Sequence, residues 1–104
     1  MKTSKSIREI KLKNGTVIPQ GTSCAIAFNM TVYATISPDG FAPYTTRAAN
    51  LHRTFSGFAK APSVASLERQ MNEGICKTVM GERTEPDGYD SHGAPSWMLA
   101  LGLI

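Results

Sequence analysis

The stretch Ser23-Cys-Ala-Ile-Ala-Phe-Asn-Met-Thr-Val-Tyr-Ala-Thr-Ile-Ser-Pro-Asp-Gly40 decides the fold of this chain. Apolar side chains occupy every second position in both of its halves: Cys24, Ile26 and Phe28 in the first, and Met30, Val32, Ala34 and Ile36 in the second. A period of two residues is typical of a strand with one buried face. The proline, aspartate and glycine at positions 38–40 suit a tight turn. The stretch therefore predicts two neighbouring half-buried strands.

Shorter strand signals flank these two strands. Upstream, residues 10–13 alternate between apolar and charged, and Asn14-Gly15 is a strong hairpin signal because both residues tolerate a positive φ. Residues 16–18 then suit the returning strand. Downstream, residues 46–55 indicate a final strand that runs into a helical turn. About five strands within residues 5–50 predict a small SH3-like barrel or half-barrel sheet.

The rest of the chain carries helix and hairpin signals. A helix at about 62–73 has Ser63 as a candidate N-cap and Gly74 as a candidate C-terminal stop. Residues 75–85 suit a hairpin. A short C-terminal helix is expected to begin at Pro95 or Ser96.

Together these signals predict a β-rich α+β fold in a single domain, residues 1–104. The sheet occupies residues 5–50, and the helix, hairpin and C-terminal helix of residues 51–104 pack on it. Seven apolar residues form the predicted core: Ile26, Phe28, Val32, Leu67, Met71, Trp97 and Leu101. A chain of 104 residues is long enough to bury one modest core.

Charge is unevenly distributed along the chain. Residues 1–59 hold seven basic and two acidic residues, whereas residues 60–104 hold four basic and six acidic ones, within a net charge of +3. No signal peptide pattern follows the N-terminal residues, and no apolar run reaches the ~18 residues of a membrane span. Two well-separated cysteines are typical of reduced thiols. The expectation is a cytoplasmic protein that does not contact membranes.

The motifs of common catalytic chemistry are missing from the sequence. It has no Gly-x-Ser-x-Gly elbow and no glycine-rich phosphate loop. Two cysteines and two histidines are a zinc set by residue type, but none has zinc-ligand spacing. The acidic loop at residues 87–92 lacks the pattern of a calcium loop. We therefore predict no enzyme, no catalytic residues, no metal and no cofactor.

Basic residues near an exposed aromatic side chain favour nucleic-acid binding. On the expected sheet, Lys11, Lys13 and Tyr33 point outward. Arg47, His52 and Arg53 are expected to extend that basic surface. Such a surface could contact phosphates and stack bases. The same cluster is also typical of a solvated strand face.

Residues 62–85, a helix that ends at glycine before a hairpin, resemble the helix and wing of excisionase-like regulators. The resemblance implies a second route to DNA, through the helix. The segment is acidic overall, with Glu68, Glu73, Glu82 and Glu85 against Arg69, Lys77 and Arg83.

Protein docking is suggested by two other features. The uncharged segment Pro95–Ile104 could fold into the core, dock on a partner or pair with its copy in a homodimer. The preceding turn forms a candidate recognition loop with four side chains: Asp87, Tyr89, Asp90 and His92.

Residues 46–104 resemble small uncharacterised proteins of bacterial phages, plasmids and genomic islands. The resemblance rests on Ala49-Asn-Leu-His-Arg53, Phe55-Ser-Gly-Phe58 and the run from Glu85 to Ile104. It implies an accessory protein of a mobile element that docks on a host macromolecule, for example to block a defence system. We expect docking through the basic sheet or through the loop Asp87–Gly93. The alternative is a nucleic-acid-binding regulator that uses the basic sheet face or the helix and wing. In either case the partner is a host protein or a nucleic acid.

Overall fold

The computed structural model describes residues 2–104. Its strands are β1 (Lys2–Lys5), β2 (Ile10–Lys11), β3 (Val17–Ile18), β4 (Ser23–Phe28), β5 (Tyr33–Pro38), β6 (Tyr44–Arg47), β7 (Cys76–Lys77) and β8 (Arg83–Thr84). Its helices are a 3-10 helix (Ala48–Arg53), α1 (Val64–Glu73) and α2 (Trp97–Ala100). The fold is thus a small, sheet-rich α+β arrangement, as the sequence predicts.

Four strands form one antiparallel sheet in the order β1-β4-β5-β6. Ile26 pairs with Ile36 and Phe28 with Ala34, so the alternating apolar residues of β4 and β5 lie on the same face. Cys24, Ile26, Ala34 and Ile36 are fully buried there. The prediction of two half-buried neighbouring strands is confirmed.

The arrangement of the remaining strands differs from the expected barrel. Five strands do lie within residues 5–50, but β2 and β3 form a separate two-stranded hairpin. The edge of β4 is occupied by β1, which pairs with it from Lys2↔Ile26 to Lys5↔Ser23. Because that edge is taken, the hairpin cannot join the sheet there. The described residues form an open sheet with no closed barrel, and the SH3-like arrangement is not confirmed.

The helices begin and end where the capping residues predict. The Ser63 side chain accepts a hydrogen bond from the backbone N–H of Ser66, and α1 ends at Gly74 with φ 70°. That left-handed conformation is one that glycine adopts without a Cβ penalty. Similarly, Ser96 caps α2 by accepting from the N–H of Leu99. The predicted strand into helical turn is seen as β6 and the 3-10 helix, and the predicted hairpin as β7 and β8.

The core joins the sheet to the second half of the chain. Its buried residues include Ile26, Leu51, Leu67, Val79 and Trp97. Of the residues predicted to lie in the core, Ile26, Leu67 and Trp97 are buried, whereas Phe28 and Val32 are half-buried.

Two core predictions are wrong. Met71 is 40% exposed and Leu101 is 39% exposed. Met71 lies one helical turn beyond Leu67, where no other element covers α1 fully. Leu101 follows the short α2, whose buried residues are Trp97, Met98 and Ala100. Each residue lies four positions after a buried one, Leu67 or Trp97, but is itself exposed.

The longest helix of residues 2–104 is α1, with ten residues. No helix in this range is long and apolar enough to span a membrane.

Both cysteine thiols are expected to react slowly in the folded protein. Cys24 and Cys76 are buried, and burial raises the pKa of each thiol above its ordinary value of 9.0, with Asp39 adding to the shift at Cys24. Since the thiolate is the reactive form, labelling by a disulfide reagent at pH 8 should be at least about tenfold slower than in guanidinium. Absorbance of the released thiolate measures the rate. Rapid native labelling of either cysteine would contradict the burial of these side chains.

Candidate functional site

The residues predicted to form one basic surface lie in three places. Tyr33 and Arg47 are register partners on β5 and β6. The Arg47 guanidinium carbon lies 5.9 Å from the centre of the Tyr33 ring, a cation–π arrangement. Both residues are exposed on the face of the sheet opposite the core. The predicted outward orientation of Tyr33 is confirmed.

Small side chains make up most of this outer face. By register, Ala27, Thr35 and Thr45 form a row beside the Tyr33–Arg47 pair. None of these three residues is buried. The outer face is therefore flat, with one aromatic ring and one guanidinium at its end.

Lys11 and Lys13 lie elsewhere, on the separate hairpin. They line a groove of about 570 Å³ between this hairpin, β6 and the 3-10 helix. Tyr44, Thr46 and Asn50 line its other wall. The two lysines are the charged side chains in its lining, so the groove favours an anion.

The side chains of His52 and Arg53 lie in different environments. Arg53 is exposed at the end of the 3-10 helix. The His52 ring instead packs edge-to-face on Trp97, with ring centres 6.1 Å apart, and its Nδ1 is buried without a hydrogen-bond partner among residues 2–104. His52 thus packs inward, away from the basic surface to which it was assigned.

The candidate recognition loop is organised around Asp90. Its side chain is only 1% exposed. Oδ2 accepts a hydrogen bond from the Thr78 hydroxyl at 2.7 Å. Oδ1 accepts from the backbone N–H groups of His92 at 2.8 Å and Ala94 at 3.1 Å. The carboxylate is therefore occupied in holding the loop together.

The other members of the loop differ in exposure. Asp87 and His92 are exposed, whereas Tyr89 is half-buried and bridges to Pro95 through its backbone. The Tyr89 carbonyl also accepts a hydrogen bond from the Thr84 hydroxyl. Asp87 and His92 remain the most accessible side chains of the four.

The loop meets one further charged residue, Glu82, that the sequence does not single out. His92 Nδ1 lies 3.4 Å from Glu82 Oε1 and 3.8 Å from Asp90 Oδ1. Within residues 2–104, these three are the one group whose donor atoms converge as metal ligands can, within 4.8 Å of one another. In the sequence, Asp90 and His92 are two positions apart, and this spacing is the one signal of a pair of metal ligands. Glu82 joins them only because the turn between β7 and β8 folds back on the loop.

A second groove is apolar and lies between α1 and the end of the chain. It has a volume of about 470 Å³ and seven lining residues: Val64, Leu67, Glu68, Met71, Asn72, Met98 and Leu103. Val64 is 73% exposed and Leu103 is 56% exposed. We call the five apolar residues of this lining the apolar surface. Glu68 is its charged neighbour.

The backbone fixes Leu103 in this groove. After α2, Gly102 has φ 71°. The Gly102 N–H donates to the carbonyl of Leu99, and the Leu103 N–H donates to that of Met98 at 2.9 Å. This pair of bonds is a Schellman motif, which brings the residue after the glycine back against the helix. The segment Pro95–Ile104 is thus divided: Trp97 and Met98 are buried, and Leu103 is held at the surface.

The thiols show no sign of activation. Cys24 Sγ donates to the carbonyl of Thr22, and within the described residues neither thiol is hydrogen-bonded to a histidine. Burial raises both thiol pKa values, which is opposite to the shift that activates a nucleophile.

Comparison with protein-family models, with curated proteins and with solved structures finds no match to this chain.

Replacing Asp90 should destabilise the fold far more than replacing its exposed neighbour Asp87. Asp90→Ala leaves the Thr78 hydroxyl and two backbone N–H groups without their acceptor. We expect the free energy of unfolding to fall by roughly 2–4 kcal/mol. Asp87→Ala should change it by less than about 0.5 kcal/mol. Urea titration followed by the fluorescence of Trp97 measures both.

Equal stability of the two variants would show that the Asp90 hydrogen bonds do not hold the loop. If Asp90→Ala does not fold, Asp90→Asn keeps the shape and one acceptor oxygen, and should fall between the wild type and the alanine variant.

Proposed function

We propose that this chain is a small, non-catalytic binding protein that docks on another protein through the apolar surface. The observation that supports the proposal is the exposure of Val64 and Leu103 on opposite walls of one groove. Large contiguous apolar patches on a protein surface are often interaction sites.

The backbone of the apolar surface is preorganised for binding. Leu103 is held by the hydrogen bond to Met98, and α1 is capped at both ends. The backbone of this surface therefore has little freedom left to lose on association, which favours affinity. Met71 and Met98 add flexible side chains that can adapt to a partner's shape.

The chemistry of the groove indicates what fits. An aliphatic or aromatic side chain would fill the space between Leu67 and Leu103. A lysine or arginine beside it would meet Glu68, the charged residue of the lining. The favoured partner is therefore a protein segment that presents an apolar anchor next to a basic residue.

A mobile-element setting agrees with this activity. The resemblance of residues 46–104 to small phage and plasmid proteins implies short chains that act by stoichiometric binding. We extend the proposal to a cytoplasmic accessory of such an element, with a host protein as its target.

Photo-crosslinking tests the docking surface. A photoreactive phenylalanine analogue replaces Val64 in one variant and Thr45, on the outer sheet face, in the other. In bacterial lysate we expect a discrete crosslinked species from position 64 and none from position 45. The captured protein is then identified, purified and titrated with the chain by calorimetry.

In that titration Val64→Asp and Leu103→Asp should each weaken binding at least about 50-fold, because each places a charge in the apolar contact. Thr45→Asp is the matched control and should bind as the wild type does. Crosslinking of the chain to itself, or equal capture from position 45, would contradict docking on a host protein through this groove.

A second candidate function is nucleic-acid binding through the first half of the chain. Two observations favour it: Arg47 lies over the Tyr33 ring on an open sheet face, and the groove beside β6 carries Lys11 and Lys13. An exposed ring can stack on a base while the cations meet phosphates. The excisionase-like route is less favoured, because α1 exposes Glu68 and Glu73 against Arg69 alone.

Titration of labelled single-stranded RNA and of duplex DNA at two salt concentrations tests this candidate. Tyr33→Ala should weaken single-strand binding by about 1–3 kcal/mol without changing the salt dependence. Charge reversal at Lys11, Lys13 and Arg47 should weaken binding and flatten its salt dependence. Lys60→Glu is the control outside both surfaces. Absence of binding at low salt would remove this candidate.

A further inference from the structure

The cluster of Glu82, Asp90 and His92 has the donor atoms of a transition-metal site. It combines one imidazole nitrogen with two carboxylate groups. Imidazole suits zinc and the neighbouring transition metals, whereas calcium and magnesium prefer oxygen alone. The presence of His92 therefore sets this group apart from an ordinary acidic patch.

The spacing of the donors fits tetrahedral coordination. Zinc binds nitrogen and oxygen ligands at about 2.0–2.1 Å, so two ligands of one tetrahedron lie about 3.3–3.4 Å apart. His92 Nδ1 and Glu82 Oε1 are separated by 3.4 Å, and His92 Nδ1 and Asp90 Oδ1 by 3.8 Å. The three donor atoms lie within 4.8 Å of one another. Glu82 and His92 are partly exposed, so rotation of these two side chains can bring the donors to ligand spacing.

Asp90 is already oriented for such a role. Its buried carboxylate accepts three hydrogen bonds, from the Thr78 hydroxyl and from the backbone of His92 and Ala94. A carboxylate offers about four acceptor positions. Two of these bonds fall on Oδ1 and one on Oδ2, so the position that remains for a metal is on Oδ2. Hydrogen bonds of this kind hold metal-binding carboxylates in place in known sites.

The negative charge of the two carboxylates also favours binding of a cation. Among residues 2–104, no lysine or arginine forms an ion pair with Glu82 or Asp90; only His92 lies within ion-pair distance. The cluster holds two carboxylates, one of which is almost fully buried. A divalent ion would neutralise both.

We propose that Glu82, Asp90 and His92 bind one zinc ion, with water completing the coordination. The ion joins the turn between β7 and β8 to the loop that precedes α2. The ion therefore cross-links and stabilises a region in which the strands β7 and β8 are only two residues long. None of its ligands belongs to the apolar surface, so the proposal stands independently of the docking function.

The protein has two histidines, and the second serves as an internal control. Purified chain, freed of metal by a chelator and then of the chelator, is titrated with zinc chloride at pH 7.5. Imidazole nitrogen resonances are followed by NMR. We expect one equivalent to shift Nδ1 of His92 strongly, to leave His52 unmoved and to raise the Tm by several degrees.

Three variants complete the test. His92→Ala should abolish binding, and Glu82→Gln should weaken it at least about tenfold. Glu85→Gln, an exposed acid just outside the cluster, should bind zinc as the wild type does. Circular dichroism establishes that each variant is folded, which is expected because His92 and Glu82 are partly exposed.

Several results would overturn the proposal. One is the absence of any His92 shift at 1 mM zinc. Another is unchanged zinc affinity in His92→Ala, which would place binding elsewhere, for example at a thiol. A third is equal affinity in Glu82→Gln and the wild type, which would reduce the Glu82–His92 contact to a hydrogen bond.

Discussion

A carboxylate withdrawn from water organises the second half of this protein. Asp90 accepts from Thr78, which follows β7, and from the backbone of its own loop. Thr78 is itself fully buried, and its hydroxyl also accepts from the backbone of Glu82. Because regular hydrogen-bonded ladders are so short here, side-chain acceptors must satisfy buried N–H groups that a longer sheet would pair. A hydrophobic residue at position 90 could not accept these hydrogen bonds, even if its side chain filled the same space.

The same network positions the core. The backbone N–H of Val79 donates a hydrogen bond to the carbonyl of Pro95, and that of Ser96 donates to the carbonyl of Gly88. Ser96 also caps α2, the helix that begins with Trp97. The loop in turn rests on the central sheet: a Cβ at Gly93, where φ is +80°, would lie 3.4 Å from the carbonyl oxygen of Phe28. The buried polar groups thus determine where Trp97 enters the core formed by β4 and β5. The hydrogen bonds of the buried polar groups and the packing of Trp97 therefore depend on each other.

Local signals in the sequence predicted the parts of the fold that depend on neighbouring residues. The period of two in β4 and β5, the Asn14-Gly15 turn and the caps Ser63 and Gly74 all match the structure. Strand β1 has no such signal, because Lys-Thr-Ser-Lys carries no apolar alternation and the strand is paired through its backbone.

Features decided by distant contacts could not be predicted in the same way. Met71 lies on the same side of α1 as the buried Leu67, one turn later, yet it is 40% exposed, and the helical period alone does not distinguish the two. Glu82 and His92 are ten positions apart; the hairpin that carries Glu82 is predicted, but its contact with the loop of His92 is not. The C-terminal segment shows the same principle in one stretch. Its composition favours burial throughout, but Gly102 reverses the chain and two backbone bonds fix Leu103 beside Met98. Leu103 remains 56% exposed, and a partner that covered it would remove its contact with water, so the groove is the feature on which the docking proposal depends.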